Sequence, residues 1–289
     1  MIHAACKDAS GPAPEDLRPP NLGRNRYRGE HLPTTTAATR GATVKKPARS
    51  RLSRGRDTAL RVRRRYSVAA MAGVAAYVGV DAVLQRLPPH YSLIRDAESN
   101  LAVGPYGWIM NVNFIGRAAT TLCLVRAVLG TGPASPLRTT GAALLGLGGA
   151  CSGVLAFFPT DIPGVDAPAA PGLSATTWVG AVHLAVTGVG FLAAFAGTVV
   201  LTAWLRTCPR LRRTSAPAAG FCALTTAGLG ALGLAGRHFP AYLGLAERIA
   251  LAGILGWAFS VAAGLRALAP APAGPAIPVS SAGGPRLPR

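Results

Sequence analysis

HYSLIRDAESNLAVGPYGWIMNVNFIGRAATTLCLVRAVL, residues 90–129, is the stretch that decides the fold. It opens polar with Asp96 and Glu98, turns at Gly104-Pro105 and presents Tyr106 and Trp108. It then runs apolar for long enough to cross a bilayer. Tyr and Trp collect at the level of lipid headgroups, so the chain passes here from water into hydrocarbon.

Composition agrees with that reading. Half of the 289 residues are hydrophobic, 14% are charged and mean hydropathy is +0.33, too apolar for a soluble domain of this size. The formal charge of +19 does not describe a folded basic face, because sixteen Lys and Arg against five acids precede Tyr66. The remaining basic residues sit mostly in short gaps between apolar runs, where they set topology. No nucleic-acid partner is expected. Cys6, Cys123, Cys151, Cys208 and Cys222 show no CxxC spacing and read as small buried hydrophobes rather than a disulfide framework or a metal site.

Working outward, residues 1–65 are rich in Pro, Gly, Arg and Thr and poor in bulky apolar groups, which predicts a disordered basic cytoplasmic tail. They lack the short basic start and apolar core of a secretory signal. The run RSRLSRGRDTALRVRRR is suited to anionic lipid headgroups or to holding the N-terminus on the cytoplasmic side. Residues 66–268 hold six apolar runs, predicted as crossings at about Ser67–Leu87, Tyr106–Leu129, Thr140–Phe158, Thr176–Leu205, Ala216–Gly236 and Leu245–Leu268. Gly149-x-x-x-Gly153 and the series Gly256, Ser260, Gly264 offer small faces for helix packing. Residues 269–289 form a Pro and Gly tail with no expected structure.

Counting basic residues by side places both termini in the cytoplasm of a multi-pass cell-membrane protein. The loops after the first and third crossings, which carry most of the remaining acids, then face outward. The class is all-α, since these runs are too long for barrel strands. The segments YSLIRDAESNLAVGPYGWIMNVNF, FFPTD, the histidine at 183 and LAERIALAGILGW resemble a membrane family known as domain of unknown function 998. The resemblance covers roughly Val68 to Leu268, implies six transmembrane helices, and carries no established biochemistry. Similar members read RDTISEL where this chain has RDAESNL.

The ionisable groups gather in the outer half: Asp96, Asp161, His183, Glu247 and Arg248 form a candidate polar site, with Arg117 beside them. His183 lies six residues past Thr177, about 9 Å below the helix start, and needs a partner or a water-filled cavity. Arg117, about ten residues into the second crossing, should find a carboxylate, with Asp81 or Asp161 as candidates. Glu247 suits a helix N-terminus, and Arg248 is expected to snorkel or to pair with Asp81 or Asp96. Asp161 suits a turn or cap.

The expected role is binding of a lipid headgroup or small solute at this outward site. Two alternatives stay open. One is a metal-dependent lipid hydrolase built on His90, His183 and His238 with Asp96 or Asp161; the other is a scaffold that packs on another membrane protein or on a second copy. No catalytic residue, resident metal or cofactor is assigned. No P-loop, dinucleotide fingerprint, GxSxG or HExxH is present.

Overall fold

The computed structural model describes residues 48–162 and 175–269. The expectations for residues 1–47 and 270–289, and for Asp166, fall outside them. Six helices follow one another: α1 Ala48–Leu84, α2 Gly107–Leu129, α3 Pro136–Leu155, α4 Trp178–Thr207, α5 Arg212–His238 and α6 Leu243–Ala267. Short 3-10 turns at Glu98–Ala102, Pro209–Leu211 and Pro240–Tyr242 lie between them.

One expectation needs correcting. Residues 48–65 are helical rather than disordered: α1 starts at Ala48 and runs unbroken into the apolar span. The Arg-rich segment contains good helix formers and no proline, a property hidden when its composition is averaged over the whole tail. Five segments, 57–84, 107–129, 178–207, 209–238 and 240–267, are each long and apolar enough to cross a membrane. The remaining helix of the bundle, α3, carries Arg138 in its first turn, which lowers the mean hydropathy of its 20 residues, and it packs between α2 and α4 by close backbone approach.

Local signals start the helices. Ser135 Oγ accepts from Arg138 N at 3.3 Å with Pro136 at the first helical position of α3. Thr177 Oγ1 accepts from Gly180 N at 3.0 Å at the start of α4. At 30 residues, about 45 Å at 1.5 Å per residue, α4 is longer than the hydrocarbon layer is thick.

Sequential helices pack in turn, and α1 closes the ring on α6, which also touches α2 and α4. Small residues set these contacts. A Cβ on Gly197 would lie 2.7 Å from Leu145 N, so α4 meets the α3 backbone directly. Gly149 and Gly153 face Thr121 and Ala118 of α2, while Gly256 and Gly264 face Phe221 and Thr214 of α5. The centre is filled by Trp257, whose Nε1 donates to Thr202 Oγ1 at 2.8 Å. Around it lie Leu201, Leu205, Val261 and Leu265. Outward faces are equally apolar: Val78, Val112, Ile115, Leu122, Val189 and Leu192 are exposed. A helix bundle apolar on both sides belongs in lipid.

At the end of the bundle that carries the α2–α3 and α4–α5 connections, arginines fasten backbone carbonyls. Arg138 Nη1 donates to Thr131 O at 2.6 Å and Gly132 O at 2.8 Å. Arg63 Nη2 donates to Leu268 O at 2.6 Å. The functional candidates gather at the opposite end.

Candidate functional site

The loop between α1 and α2 folds onto the start of α6. Leu245 N donates to Ile94 O at 3.0 Å, and Arg248 Nη1 donates to Asp96 O at 2.8 Å and Leu93 O at 3.2 Å. Gly244 makes this possible, because a Cβ there would run into the Asp96 carbonyl. Arg248 therefore meets backbone carbonyls of the loop rather than the carboxylate of Asp81 or Asp96. A loop that offers a row of free C=O groups at its docked edge satisfies a guanidinium without an acid. The third tie is Glu98 N donating to Glu247 Oε2 at 2.7 Å.

Glu98, 4% exposed, and Glu247, 8% exposed, thus meet under the loop. Tyr77, itself buried, acts on the Glu98 carboxyl through its hydroxyl. Burial, with Glu247 and Asp81 adding to it against Arg117 and Tyr77, raises the Glu98 carboxyl to about 8. Arg117 does not meet Asp81 or Asp161. Its Nε donates to Ser152 Oγ at 2.7 Å and its Nη1 to Tyr77 Oη at 3.4 Å, with the guanidinium 5.2 Å from the Tyr77 ring centroid. Ser152, itself buried, donates on to Phe114 O at 3.0 Å. The carboxyls that feel the Arg117 charge are those of Glu98 and Glu247.

The other predicted residues hold the same end together. Asp161 Oδ2 accepts from Thr176 N at 2.7 Å, Thr177 N at 2.9 Å and Thr176 Oγ1 at 3.1 Å, and Oδ1 from Thr177 Oγ1 at 2.7 Å. These bonds, those of Thr177 foremost, lower its carboxyl to about 2. Asp96 Oδ2 accepts from Ser92 N at 2.6 Å. His183, buried in the second turn of α4, lies 2.7 Å through Nδ1 from Phe158 O; since a carbonyl only accepts, Nδ1 carries the proton.

Two chambers result. The outer one, about 190 Å³, is lined by Asp96, Asn100, Asp161, His183 and Glu247 among others. The inner one, about 70 Å³, is bounded by Glu98, Arg117 and Ser152 and then by aliphatic and aromatic residues down to Leu124 and Ala258. From Glu247 to Ala258 the inner chamber follows α6 for about 16 Å. Ser99, Thr187, Phe191 and Glu247 line both chambers. Arg248 lines neither. From sequence alone Glu98 reads only as an acid of the loop, and Tyr77 and Ser152 carry no signal, because what brings these side chains to one place is the packing of the helices and the docked loop. Among the described residues no three His, Cys, Asp or Glu side chains are grouped as metal ligands, and His90, His183 and His238 do not converge.

A family model described as protein of unknown function, DUF998, matches residues 71–264. The chain belongs to the DUF998 family. The matched region contains every residue that lines the two chambers of this DUF998 protein, from Val74 to Ala258. No curated protein and no solved structure matches the chain.

The Asp161 arrangement gives a testable expectation. Its carboxyl titrates below the ordinary range, so its contribution is present above about pH 4 and is lost as the pH falls through about 2. Protection of the Thr176, Thr177 and Gly180 amides against hydrogen exchange should fall over that window, and Asp161→Asn should lower it at neutral pH. Thr177→Ala should destabilise the start of α4 by about 0.5–2 kcal/mol.

Proposed function

We propose that this DUF998 protein is an integral protein of the cell membrane, with both termini in the cytoplasm. Its outer chamber receives the polar end of an amphiphile, a lipid headgroup or a comparable solute, and its inner chamber receives the apolar part. The orientation is supported by the basic residues that flank α1, the α4–α5 connection and the C-terminus, against the acids on the loops at the other end. The basic start of α1 then lies at the cytoplasmic leaflet, where anionic headgroups attract each Arg by about 1 kcal/mol.

One observation carries the binding reading: a polar mouth and an apolar slot share Ser99, Thr187, Phe191 and Glu247. At that junction Thr187 Oγ1 is buried and has no hydrogen-bond partner among the described residues. Buried hydroxyls are nearly always satisfied, so an occupant that reaches this level gains a bond. The hydrolase alternative finds no support in the geometry, since its histidines are apart.

The test is native mass spectrometry and solvent extraction of protein purified in mild detergent. An amphiphile retained by the native chain and lost in Val186→Trp, which fills the inner chamber, is the expected result. Retention unchanged in the filled variant, or none in either protein, would overturn the reading and leave a scaffold.

A further inference from the structure

The junction between the chambers carries an unbalanced charge. Glu98 and Glu247 are joined there by the 2.7 Å backbone bond. The charged groups that act on them from the surrounding elements are Asp81 of α1, Arg117 of α2 and Arg248 of α6. Three carboxyls stand against two guanidiniums, an excess of one negative charge when all are ionised. The outer chamber does not offset this excess, because it adds the carboxylates of Asp96 and Asp161, hydrogen-bonded by Ser92, Thr176 and Thr177 but still charged, against Arg95 alone. His183 is turned to the Phe158 carbonyl through Nδ1.

A net charge at the mouth of an apolar slot inside a bilayer is costly, and it is removed either by a proton on the carboxyl pair or by a cation beside it. The slot beyond suits one alkyl chain, being about 16 Å long and walled by Val186, Leu251, Ile254 and Leu255. Phe191 lines both chambers and brings an aromatic side chain to the junction.

Resting on the amphiphile reading above, we propose that the junction binds a single-chain ammonium amphiphile in exchange for one proton held by the Glu98 and Glu247 carboxyls. The proton passes through the outer chamber to water, the ammonium takes its place beside the carboxylates, and no covalent bond other than the O–H is broken. A neutral amphiphile would leave the proton in place. An anionic one would add a second uncompensated charge. The state of Glu98 fits the exchange: with its carboxyl raised to about 8 by burial and by Glu247, it carries a proton at neutral pH that a neighbouring cation expels.

Decyltrimethylammonium is the probe, because a quaternary cation has no proton of its own to release. It is titrated into the full chain in lipid nanodiscs in weakly buffered solution with a pH-indicating dye, against empty nanodiscs. Saturable binding with release of about one proton per cation near pH 7, and almost none near pH 9.5, is expected. Glu247→Gln should weaken binding at least ~10-fold and abolish release. Glu98→Gln keeps the backbone N–H that ties the loop to Glu247, so it should fold, and with the excess carboxyl removed it should bind the cation more weakly and release no proton.

Binding without release, or tighter saturable binding of decyl sulfate, would overturn the exchange. If an amphiphile is retained on purification while neither effect is seen, the chamber reading stands and this inference falls. If nothing is retained and nothing binds, both fall.

Discussion

Gly228→Leu is expected to leave no monodisperse protein after extraction. Gly228 is buried in α5 against α6, and a Cβ there would overlap the backbone N and Cα of Ala250 and lie 2.8 Å from the Ile249 carbonyl carbon. Backbone cannot turn aside as a side chain can, so α5 and α6 would have to separate along their whole contact. Overpacking in a core destabilises by about 1–3 kcal/mol when side chains can shift, and this site exceeds that range because none is in the way. In lipid, where close van der Waals contact replaces the hydrophobic drive between helices, separation removes the main attraction. Gly230 supplies the control: a Cβ there meets nothing within 4 Å. Gly230→Ala on the same helix should retain the size-exclusion profile and gain up to about 1 kcal/mol from helix propensity.

Trp257→Ala is the second large effect. Trp257 is completely buried, packed among α6, α4 and their neighbours, and its ring N–H satisfies Thr202 Oγ1 at 2.8 Å. Truncation opens a cavity at the centre of the bundle, and losses of about 3–5 kcal/mol are typical of buried Trp→Ala changes. Trp257→Phe retains much of the volume and removes only the N–H donor. Thr202 still donates to Thr198 O at 2.7 Å, so the loss should be about 1 kcal/mol. Thermal unfolding in one detergent, with the three proteins side by side, separates the cavity from the hydrogen bond.

The class of the fold was legible because lipid leaves few choices: long apolar runs must be helices, and their ends are marked by Pro88-Pro89, Tyr106, Trp108 and the arginine loops. What misled was averaging. The helical start of α1 is hidden within a Pro-rich tail, and the spacing of the α3 glycines does not say which neighbours they meet, α2 through Gly149 and Gly153 and α4 through Gly141 and Gly148. At the outer end, the depth of His183 correctly demanded a partner. No sequence rule could name the Phe158 carbonyl, which reaches it across a chain reversal.

The same limit applied more strongly to Arg117 and Arg248. Sign complementarity suggested Asp81, Asp96 or Asp161, whereas the fold gives Arg117 a hydroxyl and a phenol and gives Arg248 a row of carbonyls. Glu98 became a junction residue only because the loop lies down on α6, which depends on the absence of a Cβ at Gly244. Sequence spacing carries no trace of such docking.

Thiol labelling tests most directly whether the polar chamber faces outward and continues into the slot. Single cysteines at Asn100, Thr187 and Arg138 would be introduced after replacement of Cys6, Cys123, Cys151, Cys208 and Cys222, and exposed to a membrane-impermeant reagent in intact cells and in inverted vesicles. Asn100→Cys should react from outside, Thr187→Cys from outside more slowly, and Arg138→Cys only in inverted vesicles. Reaction of Asn100→Cys only in inverted vesicles would contradict the orientation. A Thr187→Cys thiol inert to reagents that label Asn100→Cys would contradict the connection between the chambers.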